Sequence, residues 1–261
     1  SADYVSLKWN KDANADGYIV EYLSGNKFVK LVDKTSGLAV SYKVTGLEAG
    51  MLYKFRIRSY VNENGKRVYG EYSDVLNVRT LPKAMSNLKL GARTDNSISL
   101  KWDKNETANG AVVEMYKNGQ WVVVATKTSN TAVSHKITGL DASTAYKFRV
   151  RAYINNEGGR IYSVYNTTLN EATAPAAVKN FRRTISAKTA IRFNWDKNTT
   201  ADGYSFEMIK NSKWTTVATI KDGTATNYSQ LKLNPGTAYR FRIRAYKVVN
   251  GKKIFSGYSY V

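Results

Sequence analysis

The sequence states one pattern three times, 93 residues apart. Trp9, Trp102 and Trp195 each close a short apolar–polar alternation, such as Ser6-Leu7-Lys8-Trp9 and Arg192-Phe193-Asn194-Trp195. Forty-four residues after each tryptophan stands a tyrosine, Tyr53, Tyr146 or Tyr239. Each tyrosine opens a basic alternating run, of which Tyr146-Lys147-Phe148-Arg149-Val150-Arg151 is the middle copy. A repeat copies every group three times, whereas a catalytic centre needs unlike groups converging on one point. The repeat therefore argues first for an array of modules. A 93-residue unit buries its own core, unlike the 20–45-residue repeat of a solenoid, so the array reads as beads on a string.

Within each unit, runs of period-two alternation rich in Val, Ile, Tyr, Phe and Thr are separated by turn signals at roughly 8–12-residue intervals. No helical periodicity is sustained. In the middle unit strands are expected near 86–92, 97–102, 110–117, 121–127, 133–138, 145–154 and 160–170. That makes seven, the count of a simple immunoglobulin-like sandwich. Prolines at Pro82 and Pro175 mark the joints, where a residue that stiffens the backbone and cannot extend a ladder favours a semi-rigid connection. The expected modules are 1–82, 83–175 and 176–261. Ser1 aligns with Thr94, and Val261 with Val75 and Thr168, so the first module is expected to lack its first strand and the third most of its last.

Composition narrows the chemistry. The chain has 261 residues and no cysteine, which removes disulfide frameworks and cysteine–zinc sites. No apolar run is long enough to cross a membrane as a helix, so no insertion is expected. The formal charge is +20 and rises along the chain: +3 for residues 1–82, +5 for 83–175 and +12 for 176–261. Such a field attracts polyanions non-specifically at low salt.

One stretch is more specific. Leu233-Asn234-Pro235-Gly236-Thr237-Ala238-Tyr239 resembles the fibronectin type III signature L-x-P-x-T-x-Y, and the other copies keep its leucine and tyrosine as Leu47…Tyr53 and Leu140…Tyr146. The early tryptophans, Gly17-Tyr18-Ile19-Val20-Glu21-Tyr22 and Phe55-Arg56-Ile57-Arg58 extend the likeness over the whole chain. Wording such as Ala15-Asp16-Gly17-Tyr18 is similar to bacterial extracellular modules of that type. The resemblance implies an all-β fold of three tandem seven-stranded sandwiches, the first and last truncated. It also implies a corner tyrosine bonded to nearby backbone, and a non-catalytic role in a larger secreted or cell-surface protein, polysaccharide-degrading enzymes among them.

Catalytic, cofactor and metal sites are not expected. His135 is the single histidine and holds the slot of Tyr42 and Tyr228, so it reads as a substitute for an aromatic. Asp12-Ala13-Asn14-Ala15-Asp16-Gly17 imitates half a calcium loop, but its twelfth position is Leu23 instead of a glutamate, which leaves a polar turn. Sequons at Asn105, Asn166, Asn198 and Asn227 matter only in a eukaryotic secretory route.

The remaining constellation is a sheet face. If Tyr53, Phe55 and Ile57 point inward, Arg56 and Arg58 point out, as do Arg149, Arg151, Arg242 and Arg244 in the other copies. Glu21, Glu114 and Glu207 on the neighbouring strand are expected opposite the arginines. Phe28, Trp121 and Trp214 are expected on the same outer face. Exposed aromatics beside arginines can stack sugar rings and hold anions. They can equally lie over the arginine stems and merely cover the sheet. Two functions follow: a spacer that presents neighbouring domains of a longer extracellular chain, or an adhesion module for polysaccharide, cell-wall or other anionic polymer.

Overall fold

The structure, a computed structural model, describes residues 1–261 and contains strands and turns but no helix. Unit one comprises β1 (Tyr4–Lys8), β2 (Gly17–Ser24), β3 (Lys27–Lys34), β4 (Ser41–Thr45), β5 (Leu52–Glu63), β6 (Lys66–Tyr69) and β7 (Leu76–Arg79). Unit two comprises β8 (Lys89–Arg93), β9 (Ser97–Lys101), β10 (Gly110–Lys117), β11 (Gln120–Lys127), β12 (Ser134–Thr138), β13 (Ala145–Asn156), β14 (Gly159–Tyr162) and β15 (Leu169–Ala172). Unit three comprises β16 (Arg182–Ala187), β17 (Ala190–Asn194), β18 (Gly203–Lys210), β19 (Lys213–Ile220), β20 (Asn227–Gln230), β21 (Phe241–Val249), β22 (Lys252–Phe255) and β23 (Ser259–Tyr260).

Every unit is a small antiparallel sheet packed on a large one. The large sheets run β3-β2-β5-β6, β11-β10-β13-β14 and β19-β18-β21-β22, with β7, β15 and β23 added to the far end of the long central strand. The small sheets are β12-β9-β8 and β16-β17-β20, but only β1-β4 in unit one. In unit two the small sheet supplies Ile98, Leu100 and Ile137 to the core, and the large sheet supplies Val113, Met115, Phe148 and Val150. Burying each side chain of that size stabilises by about 1.5–3 kcal/mol.

Unit two has eight strands, one more than its alternation suggests, because the final run breaks into β14 and β15. Side chains replace the ladder at the break. Ser163 Oγ accepts from Ala152 N–H at 2.9 Å, and Asn166 Oδ1 from Val150 N–H at 3.0 Å. The chain thus crosses β13 without leaving buried donors unpaired.

The first residue of β2, β10 and β18 is glycine for a steric reason. A Cβ on Gly17 would stand 2.2 Å from Lys34 O, one on Gly110 2.0 Å from Lys127 O, and one on Gly203 2.2 Å from Ile220 O. The repeated tryptophan position is not uniform: Trp102 and Trp195 are buried at 4% and 3% exposure, but Trp9 is only partly buried.

Candidate functional site: stacked arginine faces and clamped joints

Strand β3 carries a bulge in its pairing with β2, opposite Val20/Glu21; β11 and β19 carry the same irregularity opposite Val113/Glu114 and Phe206/Glu207. Leu31, Val124 and Val217 are left unpaired there and pack against the cores, which sends Phe28, Trp121 and Trp214 to the outer face. Across the other edge the register sets Glu21 opposite Arg56, Glu114 opposite Arg149 and Glu207 opposite Arg242. All nine aromatic and arginine residues singled out from the sequence share the outer faces of the three large sheets.

On each face they form a stack. Phe28, Arg56, Tyr72, Arg58 and Tyr69 alternate in unit one, with guanidinium-to-ring distances of 4.2, 3.6, 4.5 and 4.0 Å. Trp121, Arg149, Tyr165, Arg151 and Tyr162 repeat this at 4.2, 3.6, 4.8 and 4.0 Å. Trp214, Arg242, Tyr258, Arg244 and Phe255 do so at 4.3, 3.7, 4.6 and 3.8 Å. Each contact of this kind is worth about 0.5–2 kcal/mol, according to its exposure.

Beneath each stack lies the glutamate, 8% exposed at Glu21 and 4% at Glu114 and Glu207. Its Oε2 accepts from Arg56, Arg149 or Arg242 Nε at 2.7–2.8 Å, and its Oε1 from the hydroxyl of Tyr72, Tyr165 or Tyr258 at 2.7–2.9 Å. Burial pulls the Glu21 carboxyl upward, but the hydrogen bonds from Tyr72 and Arg56 and the charges of Arg56 and Arg58 outweigh it. The group is held below the usual glutamate range. Burial, then the bond to the carboxylate, raises Tyr72, Tyr165 and Tyr258. One atom is left over in every copy: the buried Nε of Arg58, Arg151 and Arg244 has no hydrogen-bond partner. Its guanidinium lies between two rings instead.

The six ring positions after the basic strand, Tyr72/Tyr165/Tyr258 and Tyr69/Tyr162/Phe255, escaped the sequence reading. They recur at the same 93-residue period, so the signal was present. Strand alternation could not find Tyr72 and its copies, because the loop between β6 and β7 brings Tyr72 onto the sheet from outside the ladder, whereas Tyr69, Tyr162 and Phe255 close the strands β6, β14 and β22.

The joints form a second repeated construction. Before each proline a carbonyl is held by the preceding unit: Leu81 O accepts from Gly50 N–H, and Ala174 O from Ser143 N–H, both at 3.0 Å. After each proline the next residue is held at both polar groups by the following unit. Lys83 N–H donates to Thr107 Oγ1 at 2.9 Å and Lys83 O accepts from Asn105 Nδ2 at 2.7 Å. Ala176 is gripped by Thr200 and Asn198 at the same two distances. Asn105 and Asn198 close the clamp by accepting from the N–H and Oγ1–H of Thr107 and Thr200. Two of the four sequons are therefore joint hardware. The joints differ at one position. Ser143 Oγ donates to Thr200 O at 2.5 Å, where Gly50 sits so close that a Cβ would stand 3.0 Å from Thr107 O.

The other candidates have structural partners. His135 pairs Leu100 as Tyr42 pairs Leu7 and Tyr228 pairs Phe193; burial and the charge of Lys127 lower its pKa. Asp12 Oδ1 accepts from Asn14 N–H, and Asp16 Oδ2 from Asn62 N–H, so both carboxylates pair with backbone donors. The corner tyrosines accept from backbone five residues upstream: Glu48 N–H to Tyr53, Asp141 N–H to Tyr146 and Asn234 N–H to Tyr239, at 2.8–2.9 Å.

Comparison with known proteins fits this geometry. The family model described as "Fibronectin type III domain" matches residues 1–78 and 83–167. Rat phosphatidylinositol phosphatase PTPRQ is 26% identical over 83% of this chain and 9% of its own length. Human neogenin is 28% identical over 96% of this chain and 18% of its own. A crystal structure of chicken CNTN1 FN1-FN3 domains aligns over 100% of this chain and 94% of its own at 17% identity, with a TM-score of 0.32. The chain thus spans less than a fifth of the length of these curated relatives. It is a tandem array of modules and belongs to the fibronectin type III family.

Proposed function

We propose that the chain is an architectural array that holds neighbouring domains of a longer extracellular protein at a set distance, with joints at 82/83 and 175/176. The observation that carries this reading is the saturation of the stacked faces. Arg56, Arg149 and Arg242 each lie between two rings and against a carboxylate, so the residues best suited to a ligand already have partners. The clamped joints support the same reading, because a spacer works only if its modules hold their angles. A central strand of 12 residues spans about 40 Å, so each unit adds a few nanometres. Extracellular placement is in keeping with the similarity to receptor-type tyrosine-protein phosphatase eta of chicken, 27% identical over 92% of this chain. The relatives named above are animal proteins, which lends no weight to the bacterial provenance suggested by the wording of the modules.

Small-angle scattering tests the spacer. The chain is expected to scatter as an extended, narrow particle, and the double substitution Asn105→Ala/Asn198→Ala to broaden its distance distribution while each unit stays folded. A wild-type chain that already scatters as freely jointed modules would sink the proposal.

One observation favours adhesion as a second reading, at a different surface. On the small sheet of unit three, Arg182, Arg183 and Arg192, with Lys188 in the turn between β16 and β17, are exposed and lie outside every ion pair. Spacer behaviour predicts weak retention on anionic polysaccharide that vanishes with salt and is indifferent to Trp121→Ala/Trp214→Ala. Salt-resistant retention that those two substitutions abolish would restore the stacked faces as a binding site. Loss on Arg182→Gln/Arg192→Gln alone would place binding on the small sheet.

A further inference from the structure

The three units carry the same edge strand in three chemistries. β3, β11 and β19 each end a large sheet and pair on one side only, with β2, β10 and β18. The other side of such a strand is a row of unpaired backbone groups, which proteins commonly protect with charge. β3 follows that rule with Lys27, Lys30, Asp33 and Lys34. β19 keeps Lys213 and sets Thr215 and Thr216 in its middle. β11 does neither. It carries no charge from Gln120 to Thr126 and places Val122, Val123 and Val124 in succession, a β-branched run of high strand propensity. Pairing with Glu114 puts Val123 on the outer face, where it is 57% exposed; Val122, opposite Met115, is 37% exposed. Tyr116 packs on Trp121 beside them, ring centroids 5.4 Å apart, and is itself 39% exposed. An apolar patch thus runs out to a bare backbone edge in unit two alone.

We infer that the free edge of β11 is a self-association surface, whose occupant is β11 of a second copy of this chain, paired antiparallel about a two-fold axis at Val122. A bare edge takes an extended strand, because only a strand can satisfy its row of donors and acceptors. Charge selects which strand. β12 presents Lys136, β16 Arg183 and β6 Lys66, each of which would set a cation against valine. β11 itself sets none. Pairing about Val122 joins Gln120–Val124 of the two copies with no charge in the ladder. Val122 meets Val122 on the inner side, and Trp121 of each copy stands beside Val123 of the other on the outer side, an aromatic–β-branched pair. Two five-stranded sheets, one from each copy, become a single sheet of ten. Such a contact closes on itself at the dimer, since a two-fold interface leaves no second β11 edge open. It yokes two arrays side by side at their middle units. The spacer reading does not depend on it, because an array that stays monomeric still separates its neighbours.

Sedimentation of the whole chain over graded concentrations tests the assignment. The chain is expected to pass from monomer to dimer, with amide exchange in Gln120–Val124 slowing as it does so and exchange in Lys213–Val217 unchanged. Each copy carries +20, so added salt should strengthen the dimer, the opposite of its effect on polyanion binding. Val122→Lys and Val122→Asp each set like charges face to face across the axis and should weaken the dimer on the order of tenfold or more. Mixed together, the two variants should pair again, and that recovery shows that both remain folded. A chain that stays monomeric at every concentration would overturn the assignment. So would a dimer that neither single variant weakens, a mixture that fails to pair, or association that runs on past the dimer.

Discussion

Units one and two share a face and differ in a core. The guanidinium-to-ring distances of their stacks agree to within 0.3 Å, and both glutamates take the same arginine and tyrosine partners. Yet one buries four core side chains and the other 13. The outer face is therefore built within the large sheet alone: a bulge, a cross-strand pair and a returning loop are enough. The core is built between sheets, and in unit two β8 of the small sheet brings Leu90 to it. A module of this kind has one layer of stability that is local and one that depends on its whole complement of strands.

The largest expected effect breaks the symmetry of the units. Trp102→Ala removes a side chain buried in a complete core and is expected to cost unit two about 3–5 kcal/mol. Trp9→Ala, at a partly buried position, is expected to cost unit one less than half of that. Denaturant unfolding of each variant, followed unit by unit through amide exchange, checks the ratio. Equal losses would mean that Trp9 is as well packed in solution as Trp102.

The next effect restores the symmetry. Glu114→Ala leaves Arg149 and the Tyr165 hydroxyl without their acceptor, and removing one partner from a largely buried pair costs about 3 kcal/mol. Glu21→Ala strips the same bonds from Arg56 and Tyr72 and is expected to cost unit one a similar amount. A loss in unit two alone would show that the face depends on the core after all.

Acid probes the same glutamate without mutation. The Glu21 pKa is lowered in the folded unit, so its ionised form contributes stability that is present above the ordinary glutamate range. That contribution disappears as pH falls through the lower, folded pKa. Unit one should lose stability progressively below about pH 4.3, and Glu21→Gln should flatten that part of the profile. An unchanged acid limb in the Glu21→Gln chain would show that other carboxylates govern it.

Much of this was legible in the residues. Period two, the 93-residue repeat and the Leu…Tyr spacing are local and were enough for three sandwiches. They also set Phe28, Trp121, Trp214 and the six arginines on one type of face, because alternation and one bulge decide which way those side chains point. Tyr72 and its copies were not legible by alternation, since a loop carries them in. The clamp was hidden differently. Asn105-Glu106-Thr107 has the letters of a glycosylation sequon, and only the approach of Lys83 from across the joint turns it into a grip. Contacts between units have no period within a unit, so a repeat advertises its core and conceals its joints.

The smallest expected effect lies at the corners. Tyr53→Phe and Tyr146→Phe each remove a hydroxyl that accepts from the N–H of Glu48 or Asp141, both at exposed positions. Water can take over an exposed donor, so the loss should sit at the low end of a hydrogen bond's net worth, about 0.5–1 kcal/mol. It should be equal in the two units, because the corner hangs from the large sheet, which they share, and not from the core, which they do not. Thermal unfolding of the two single variants measures it. A loss in unit two several times that in unit one would show that the corner leans on the small sheet, and the division between local face and shared core would have to be redrawn to exclude it.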